Sequence, residues 1–383
     1  MTFEIVQIIQ EFNTVGGAER VAWDLSIAFG KLGQLNSVVA STTPQFPPAN
    51  VKLRPIVPWL ARLPKRGLFR YAGRMVVVPI FTIAANFANL PKRESVLISH
   101  GDTFYGDILV VHAVNAENLK EKRRAGQWSW LLNPIHAWVA VRDRLMIGGL
   151  RYRRYVAVSG RVKHELMDNY KVPSDLIAII PNGIDLSKFT AEPQGGCGLR
   201  AEFGIPDKAR LLLFVGHEFS RKGLAYVIQA MQTLNDPTLW LLVVGSDNRK
   251  PYVAMAGSLA SRIVFAGERR DMEHIYPAAD AFVLPTAYET FSLVCMEAMA
   301  CGVPVLATRV GGIEEYLKDG VNGYGIGRDR DDIARKLALV FSSESGLQTL
   351  KAGAIATADS YSWNEISRRY VSLAEDVLRE KYA

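Results

Sequence analysis

The stretch LLLFVGHEFSRKGLAYVIQAM (residues 211–231) decides how the chain folds. Five apolar residues open it, a short polar segment with two glycines follows, and apolar residues then return at helical spacing. An unbroken apolar strand is typical of a parallel sheet that helices cover on both faces. The stretch therefore predicts a strand–loop–helix unit whose loop lies at the carboxyl end of the strand, where such sheets bind ligands.

The same alternation recurs in both halves of the 383-residue chain and predicts an α/β protein with two Rossmann-like, doubly wound domains. Proline, glycine and polar residues cluster in the segment 183–207, where we place the hinge between domains 1–185 and 186–361. We expect function at the cleft between the domains. The predicted strands are Phe3–Ile9, Ser37–Ser41, Ser95–Ser99, Ile108–His112, Tyr155–Ser159, Leu211–Val215, Leu239–Gly245, Ile263–Ala266, Ala281–Leu284 and Pro304–Thr308.

Composition indicates a globular protein, because 49% of the residues are apolar, 22% are charged and no low-complexity tract is present. The three cysteines, Cys197, Cys295 and Cys301, have no C-x-x-C spacing, which argues against a disulfide framework and a structural zinc site. The N-terminus has the pattern of a strand and lacks that of a signal peptide. We therefore expect a cytoplasmic protein.

Positive charge is concentrated in the first half: residues 1–180 carry 23 Lys and Arg against 13 Asp and Glu, whereas residues 181–383 carry 22 against 25. Two segments, 59–93 and 137–155, interleave arginine with apolar residues. They fit either core helices with a solvated basic face or docking on an anionic membrane surface. Nucleic acid is not an expected partner, because no recognition module is evident.

Near the start, FEIVQIIQEFNTVGGAERVAWDLSIAFGKLG (residues 3–33) reads as a strand, a glycine pair and an amphipathic helix that ends at Gly33. Gly16 and Gly17 allow close approach of the backbone, and the helix start after them offers N–H groups to an anion such as phosphate. An ordinary tight turn is the alternative. The three spaced glycines of a dinucleotide-binding fingerprint are absent.

The loop after Val215 contains His217, Arg221 and Lys222. Two adjacent cations at the carboxyl end of a strand suit a diphosphate, since arginine offers a bidentate fork and lysine a compact charge. An ordinary loop before a helix would also display such a pair.

Two acidic residues, Glu289 and Glu297, stand in the otherwise apolar and small-residue stretch ETFSLVCMEAMACGVPV (289–305). Residues 285–290 are predicted to form a loop, with a helix that begins near Phe291. At the helical rise of about 1.5 Å per residue, the eight positions between the two glutamates span about 12 Å, which is too far for them to share one proton. They would then bind different parts of one elongated ligand, such as the two diol-bearing ends of a nucleotide sugar. The alternative is a dipole complement for Glu289 and a salt bridge for Glu297. If the two glutamates bind a nucleotide sugar, the backbone N–H groups of Phe291, Ser292 and Leu293 at the start of the helix would face its diphosphate.

Taken together, these residues resemble the retaining glycosyltransferases of family four, which have the GT-B architecture. The two glutamates match the family's E-x7-E motif, and the resemblance covers nearly the whole chain. The second half is similar to lipopolysaccharide-core glucosyltransferases through VGHEFSRKG and VVGSDNRK. The other matching segments are VGGAER (15–20), AVSGRVKHELMDNY (157–170) and IAIIPNGIDLSKF (177–189).

The resemblance implies a role for each matching residue toward the donor. Glu297 would hold the ribose and Glu289 the hydroxyls of the transferred sugar. Arg221 and Lys222 would hold the diphosphate, which Gly17 would approach from the other domain. The backbone near Val264 and Phe265 would contact the base, and His112 would contact the sugar. Asp107 would be a further contributor to the donor site.

The resemblance also implies the reaction. A hexose would pass from a nucleotide diphosphate sugar to a glycan or lipid-linked glycan, with retention of the anomeric configuration. We expect a UDP-sugar in preference to a GDP-sugar, and a reaction that needs neither metal nor cofactor. His217 stands where many relatives have arginine, which leaves the diphosphate to Arg221 and Lys222. A nucleotide-sugar epimerase and a non-catalytic nucleotide-sugar-binding protein are the alternatives. We expect a cytoplasmic protein, peripheral on the inner face of the membrane, with its C-terminal helix (362–383) packed on the first domain.

Overall fold

The computed structural model of the chain describes residues 3–42, 44–62, 69–88, 94–124, 126, 134–191 and 198–383. The chain divides into two compact units. Unit 1 contains Met1–Gly183 and Trp363–Ala383, and unit 2 contains Ile184–Ser362. These bounds lie within two residues of the predicted domain boundaries. Cys197 and parts of the basic segment 59–93 lie outside the described residues.

Unit 1 is built on a parallel sheet of seven strands: β1 (Glu4–Ile8), β2 (Asn36–Ala40), β3 (Val51–Pro55), β4 (Ser95–Ser99), β5 (Gly106–Val111), β6 (Tyr152–Ala157) and β7 (Ile177–Ile179). Their order in the sheet is β3-β2-β1-β4-β5-β6-β7. The direction of the order reverses between β1 and β4, so the loops after these two strands diverge to opposite faces and leave a crevice. The helices of this part of the unit are α1 (Gly17–Lys31), α2 (Phe69–Phe87), α3 (Asn115–Arg124), α4 (Pro134–Asp143) and α5 (Gly160–Tyr170).

Unit 2 has a parallel sheet of six strands: β8 (Arg210–Val215), β9 (Leu239–Val244), β10 (Ile263–Gly267), β11 (Ala281–Leu284), β12 (Val305–Ala307) and β13 (Gly323–Gly325). Their order is β10-β9-β8-β11-β12-β13, with the reversal between β8 and β11. Both strands at the reversal are fully buried from Leu211 to Phe214 and from Ala281 to Leu284. The helices are α6 (Leu199–Glu202), α7 (Phe219–Lys222), α8 (Leu224–Leu234), α9 (Lys250–Ala256), α10 (Met272–Ile275), α11 (Leu293–Ala300), α12 (Ile313–Tyr316), α13 (Arg330–Val340) and α14 (Glu344–Asp359).

All ten predicted strands are present, and their ends differ from the prediction by at most three residues. The sequence prediction lacks β3, β7 and β13. Each of these is the outermost strand on one side of its sheet. An outermost strand needs no continuous apolar run, and β3 has no fully buried residue.

The C-terminal helix α15 (Trp363–Tyr382) packs on α1 and β4 of unit 1. Its last turns are held by polar contacts with the sheet. The Lys381 ammonium donates to the Asp107 carboxylate at 3.1 Å, and the Tyr382 hydroxyl accepts from the Glu94 N–H at 2.9 Å. Asp107, which is 6% exposed, also accepts from the Leu97 N–H at 2.9 Å. Asp107 therefore joins β4, β5 and α15.

Helix α2, within the basic segment 59–93, has one buried and one exposed face. Val77, Phe81 and Ala85 pack in a core cluster with β1 and β4. Val76, Ile83 and Phe87 lie on the other side, and Phe87 is 86% exposed. Spacings of seven and four residues place these three side chains on one stripe. Among the described residues, no helix has the length and apolarity that crossing a bilayer requires.

Replacing Asp107 with alanine is expected to lower the free energy of unfolding by about 2–3 kcal/mol, because the Leu97 N–H and the Lys381 ammonium lose a mostly buried acceptor. Urea denaturation followed by circular dichroism measures the loss. Asp175→Ala, at an exposed position of the same unit, is the control. A loss below about 0.5 kcal/mol for Asp107→Ala would contradict the anchoring role.

Candidate functional site

Two loops of unit 2 meet where the strand order reverses. Residues 216–223 follow β8 and residues 285–292 follow β11, and the two strands are direct neighbours. Gly223 has φ +83°, and a Cβ atom there would lie 2.2 Å from the Pro285 carbonyl oxygen. The Ala287 N–H donates to the Arg221 carbonyl at 2.9 Å. The glycine therefore allows a backbone contact between the loops that no other residue type would permit.

This contact brings three predicted site residues together. Lys222 is 9% exposed, and its Nζ atom contacts the Oε1 atom of Glu289. Arg221 donates from its guanidinium to the Tyr288 carbonyl at 2.8 Å and to the Glu218 carboxylate at 2.9 Å. Two cations and one carboxylate thus lie at the carboxyl edge of the sheet, as the sequence predicts.

Two opposing effects act on the charge of Lys222. Burial, followed by the neighbouring Arg221 guanidinium, lowers the pKa of Lys222 to about 7. The Glu289 carboxylate in contact with Nζ favours the charged form. The charge on Lys222 consequently depends on an anion beside it, and a bound anionic ligand would act in the same direction as Glu289.

Glu289 lies in the loop after β11, as the sequence predicts. Helix α11 begins at Leu293, because Ser292 has φ +68° and interrupts the helical path. The estimate of about 12 Å between Glu289 and Glu297 applied the helical rise to residues that lie in the loop, so that estimate does not hold. The two carboxylates lie in different elements. Glu289 is in the loop, where it contacts Lys222, whereas Glu297 lies within α11.

The start of α11 contributes backbone groups. The Phe291 ring is 2% exposed and packs against Tyr316 and Tyr361 with centroid distances of 5.7 and 5.8 Å. Its side chain is therefore a structural anchor. The first N–H groups of an α-helix have no acceptor within the helix and favour an anion. Ser292 and Leu293 stand at this position.

Tyr276 is a site residue that the sequence analysis missed. It is fully buried, and its hydroxyl donates to Oε2 of Glu297 at 2.7 Å. Burial, followed by the Glu297 charge, raises the pKa of Tyr276 well above its usual value, so the hydroxyl keeps its proton. A donor fixed in this way orients the Glu297 carboxylate. The signal in the sequence was a tyrosine in an apolar segment, whose hydroxyl needs a partner when buried.

The strand predicted to bind a base is connected to the cationic loop by packing. Val264 and Phe265 lie in β10, and both are partly buried. The Phe265 ring lies 6.4 Å from that of Phe219, the first residue of α7. His217 accepts at Nδ1 from the Ser246 N–H at 3.3 Å. The loop after β8 is thus supported by β9 and β10 as well as by β11.

In unit 1 the predicted glycine pair forms the start of α1. Gly16 is the N-cap with φ −90°, and Gly17 is the first helical residue. A Cβ atom on Gly17 would meet nothing within 4 Å, whereas one on Gly16 would lie 2.0 Å from Glu19 Oε2. There is therefore open space beside Gly17 at the N-terminus of a 15-residue helix, whereas the Glu19 carboxylate lies beside Gly16.

His112 and Asp107 lie at opposite ends of β5. His112 follows the carboxyl end of the strand, and its Nε2 atom is 2.9 Å from Nδ1 of His100. Burial lowers the pKa of His112 to about 4, so the ring is neutral at pH 7. Asp107 is bonded to Leu97 and Lys381 at the other end. Its position supports the anchoring of α15 and adds nothing to a ligand site.

Two known protein families match the chain, one over its first half and one over its second half. The family described as Glycosyltransferase Family 4 matches residues 15–188. The family described as Glycosyl transferases group 1 matches residues 199–356.

Curated relatives are similar over part of their length. A D-inositol 3-phosphate glycosyltransferase of Streptosporangium roseum is 31% identical over 233 residues, which cover 56% of this chain and 53% of that protein. The lipopolysaccharide 1,2-N-acetylglucosaminetransferase of Salmonella typhimurium is 27% identical over 217 residues, which cover 52% and 56%. The chain thus spans little more than half the length of the curated relatives it matches.

Solved structures resemble the chain over nearly its whole length. WaaG, a glycosyltransferase involved in lipopolysaccharide biosynthesis, gives a TM-score of 0.74 at 19% identity and covers 97% of this chain and 99% of its own. The Anabaena protein HepE in complex with UDP-glucose gives a TM-score of 0.69 at 17% identity, with coverage of 98% and 100%. At these identities the likeness establishes the GT-B fold.

The pKa of Lys222 predicts a pH dependence of stability. Its folded pKa of about 7 lies below the ordinary value of 10.5, so between these pH values the unfolded chain binds more protons than the folded one. The contribution of Lys222 to the free energy of unfolding should therefore rise with pH, by up to about 1.4 kcal/mol per unit above pH 7. We expect Lys222→Met to remove this rise in urea titrations between pH 7 and 9.

Lys163→Met, which removes a partly exposed lysine of unit 1, is the control and should leave the pH dependence unchanged. If wild type and Lys222→Met keep parallel profiles, the Glu289 carboxylate holds Lys222 charged throughout this range.

Proposed function

Because the chain belongs to the GT-B glycosyltransferases of the family-four type, we propose that it transfers a hexose from a nucleotide diphosphate sugar to a glycan or lipid-linked glycan. The contact between buried Lys222 and Glu289, with Arg221 on the same loop, carries the proposal. It places two cations and a carboxylate side by side at the switch point of a parallel sheet, where ligands of such folds bind.

Each part of the donor has a matching group in this proposal. Arg221 and Lys222 bind the diphosphate, assisted by the N–H groups at the start of α11. Glu289 accepts from the hydroxyls of the hexose. Glu297, oriented by the Tyr276 hydroxyl, accepts from the ribose diol. The backbone of β10 at residues 264–265 contacts the base, and UDP is favoured over GDP because HepE has been crystallised with UDP-glucose.

The reaction proceeds with retention of configuration. The bond between the anomeric carbon and the diphosphate oxygen breaks, and the acceptor oxygen bonds to the same face of that carbon. The proton of the acceptor hydroxyl passes to the departing phosphate oxygen. Arg221 and Lys222 neutralise the charge that develops on the diphosphate, which is why we propose that no divalent metal is required.

The acceptor is a cell-surface glycan of the lipopolysaccharide or exopolysaccharide type. The Salmonella relative supports this choice, and the D-inositol 3-phosphate glycosyltransferase of Streptosporangium roseum makes an inositol phosphate the alternative acceptor. A lipid-linked acceptor would bring the enzyme to the cytoplasmic face of the membrane. The exposed apolar stripe of α2 (Val76, Ile83 and Phe87) is suited to lie in such an interface.

Lys222→Ala is expected to reduce turnover about a hundredfold or more, because a preorganised cation is lost from the position where charge develops. Release of UDP from UDP-glucose with a panel of lipopolysaccharide-core acceptors measures it, and EDTA should leave the wild-type rate unchanged. Lys163→Met is the matched control.

Unchanged turnover in Lys222→Ala would refute the assigned role. Conversion of the sugar without acceptor would identify an epimerase, and UDP-glucose affinity without turnover on any acceptor would identify a binding protein.

The membrane assignment has its own test. We expect the protein to co-sediment with anionic vesicles at low salt and to dissociate as salt rises, because surface charge attraction is screened. Replacing both Ile83 and Phe87 with serine should weaken binding by about tenfold, since two exposed apolar side chains leave the interface. Val321→Ser, at an exposed position of unit 2, is the control. Absence of binding at low salt would exclude membrane docking.

A further inference from the structure

The helix α7, which contains Arg221 and Lys222, is too short to hold its own position. It has four residues, and a residue in the left-handed region stands at each end: Glu218 with φ +53° before it and Gly223 with φ +83° after it. These two residues interrupt the helical path, so α7 does not continue into α8. A helix of about one turn is unstable in isolation. The position of the two cations therefore depends on the contacts that neighbouring loops make with the backbone of α7.

Three loops of unit 2 hold that backbone. The Asp247 carboxylate, in the loop after β9, accepts from the Phe219 N–H at 2.7 Å. The loop after β11 donates an N–H group to the Arg221 carbonyl at 2.9 Å. The Arg328 guanidinium, in the loop after β13, donates from Nη2 to the Ser220 carbonyl at 3.1 Å. Strands β9 and β11 are direct neighbours of β8, whereas β13 is separated from β8 by two strands. A long side chain is therefore what brings the third loop to α7.

The guanidinium of Arg328 lies against the ring of Tyr226 in α8, with 5.3 Å between Cζ and the ring centroid. This distance allows a cation–π interaction, which fixes the plane of the guanidinium. The Nε atom of Arg328 is buried and has no hydrogen-bond acceptor within the described ranges. Burying an N–H group without an acceptor lowers stability, so the position of this side chain requires a reason other than stability. Its contact with the backbone of α7 supplies one.

The turn that carries Arg328 is fixed to the helix that follows it. The Gly327 N–H donates to the Asp332 carboxylate at 2.6 Å. The Asp329 carboxylate accepts from the Asp331 and Asp332 N–H groups at 3.0 and 2.9 Å and caps α13. Helix α13 in turn packs on α8. Arg328 thus extends to α7 from a turn whose own position is set by several contacts.

We propose that Arg328 is a positioning residue, which holds α7 so that the Arg221 guanidinium and the Lys222 ammonium meet the diphosphate of the donor. The diphosphate rests on the proposed function, whereas the fixed position of α7 does not. Arg328 donates to a backbone carbonyl and acts on the ligand only through α7. The loop after β13 thereby contributes to the diphosphate site although none of its side chains is assigned to the donor.

Arg328→Met removes the donor to the Ser220 carbonyl and keeps an unbranched side chain beside Tyr226. We expect the backbone N–H groups of Lys222 and Gly223 to exchange about tenfold faster, because α7 opens more often. Hydrogen–deuterium exchange of the full-length protein without ligand, followed by mass spectrometry, measures this. The melting temperature should stay within about 4 °C of the wild-type value, since methionine also removes the buried Nε–H. Unchanged exchange in α7 would overturn the positioning role.

The same substitution should weaken UDP binding by about tenfold, because the two cations lose their fixed position. Uridine has no phosphate, so its dissociation constant should change by less than about twofold. Calorimetry measures UDP binding, and ligand-detected NMR measures uridine binding. Arg330→Met is the matched control, because it removes a guanidinium that is 60% exposed only two positions along the chain. It should change neither the exchange of α7 nor the affinity for UDP.

Tyr226→Leu separates the position of α7 from the charge of Arg328. It removes the ring beside the guanidinium and keeps the positive charge. We expect faster exchange in α7 and UDP binding weakened by about threefold, in line with the loss of one cation–π contact. Wild-type exchange and wild-type UDP affinity in this variant would show that charge alone matters and would refute the positioning role. This variant also decides the question if Arg328→Met does not fold.

The readouts separate this proposal from the proposed function. Faster exchange in Arg328→Met, together with a wild-type protein that binds neither UDP nor GDP, would refute the function and leave the positioning of α7 standing. Faster exchange with unchanged UDP affinity would show that the position of α7 does not affect the diphosphate, and it would refute the proposed link between them.

Discussion

The structure of unit 2 depends on a buried ammonium that requires a counter-charge. Lys222 lies beneath the surface beside the Arg221 guanidinium, an arrangement that opposes its own charge. Glu289 offsets this cost, and it reaches Lys222 only because Gly223 lets the two loops press backbone against backbone. The same carboxylate is proposed to bind the sugar, so a donor diphosphate at Lys222 would supply the counter-charge and release Glu289 for the hydroxyls. Exchange of one anion for another would thereby couple binding of the diphosphate to binding of the hexose.

Both sheets place their proposed site residues where the strand order reverses. In unit 2 the reversal lies between β8 and β11, whose loops contain Lys222 and Glu289. In unit 1 it lies between β1 and β4, which are followed by the glycine turn and by His100. At such a point the connections leave on opposite faces, so backbone groups at the strand ends are not covered. This topology determines where the proposed site residues lie, and the side chains at the strand ends determine which ligand the site is suited to bind.

The sequence predicted the central strands and the outermost strand β10, but it missed the outermost strands β3, β7 and β13, which have few fully buried residues. β8 from Leu211 onward and the whole of β11 are apolar and buried, whereas β3 and β13 each pair with only one neighbouring strand of the described sheets. The prediction of the site residues was limited in a similar way, because it rested on local sequence patterns. Arg221, Lys222 and Glu289 were found because each lies in a short segment of recognisable pattern. A tyrosine in an apolar segment indicated that the Tyr276 hydroxyl needs a partner, but the partner Glu297 lies 21 positions away and no local pattern identifies it.

Hydrogen bonds from buried polar groups fix the orientation of side chains in this protein, which charge alone does not do. A carboxylate or an imidazole at a strand end can adopt several orientations, and each fixed orientation costs conformational entropy. Tyr276 removes that freedom from Glu297 with one donor, and the hydrogen bonds that link Ser26, Gln7, His100 and His112 restrict the orientation of the His112 ring. Each of these four linked residues has a hydrogen-bonding partner inside the core, so the arrangement is stable without a ligand. Because the entropic cost is met during folding, a substrate hydroxyl that meets such a group loses less free energy on binding.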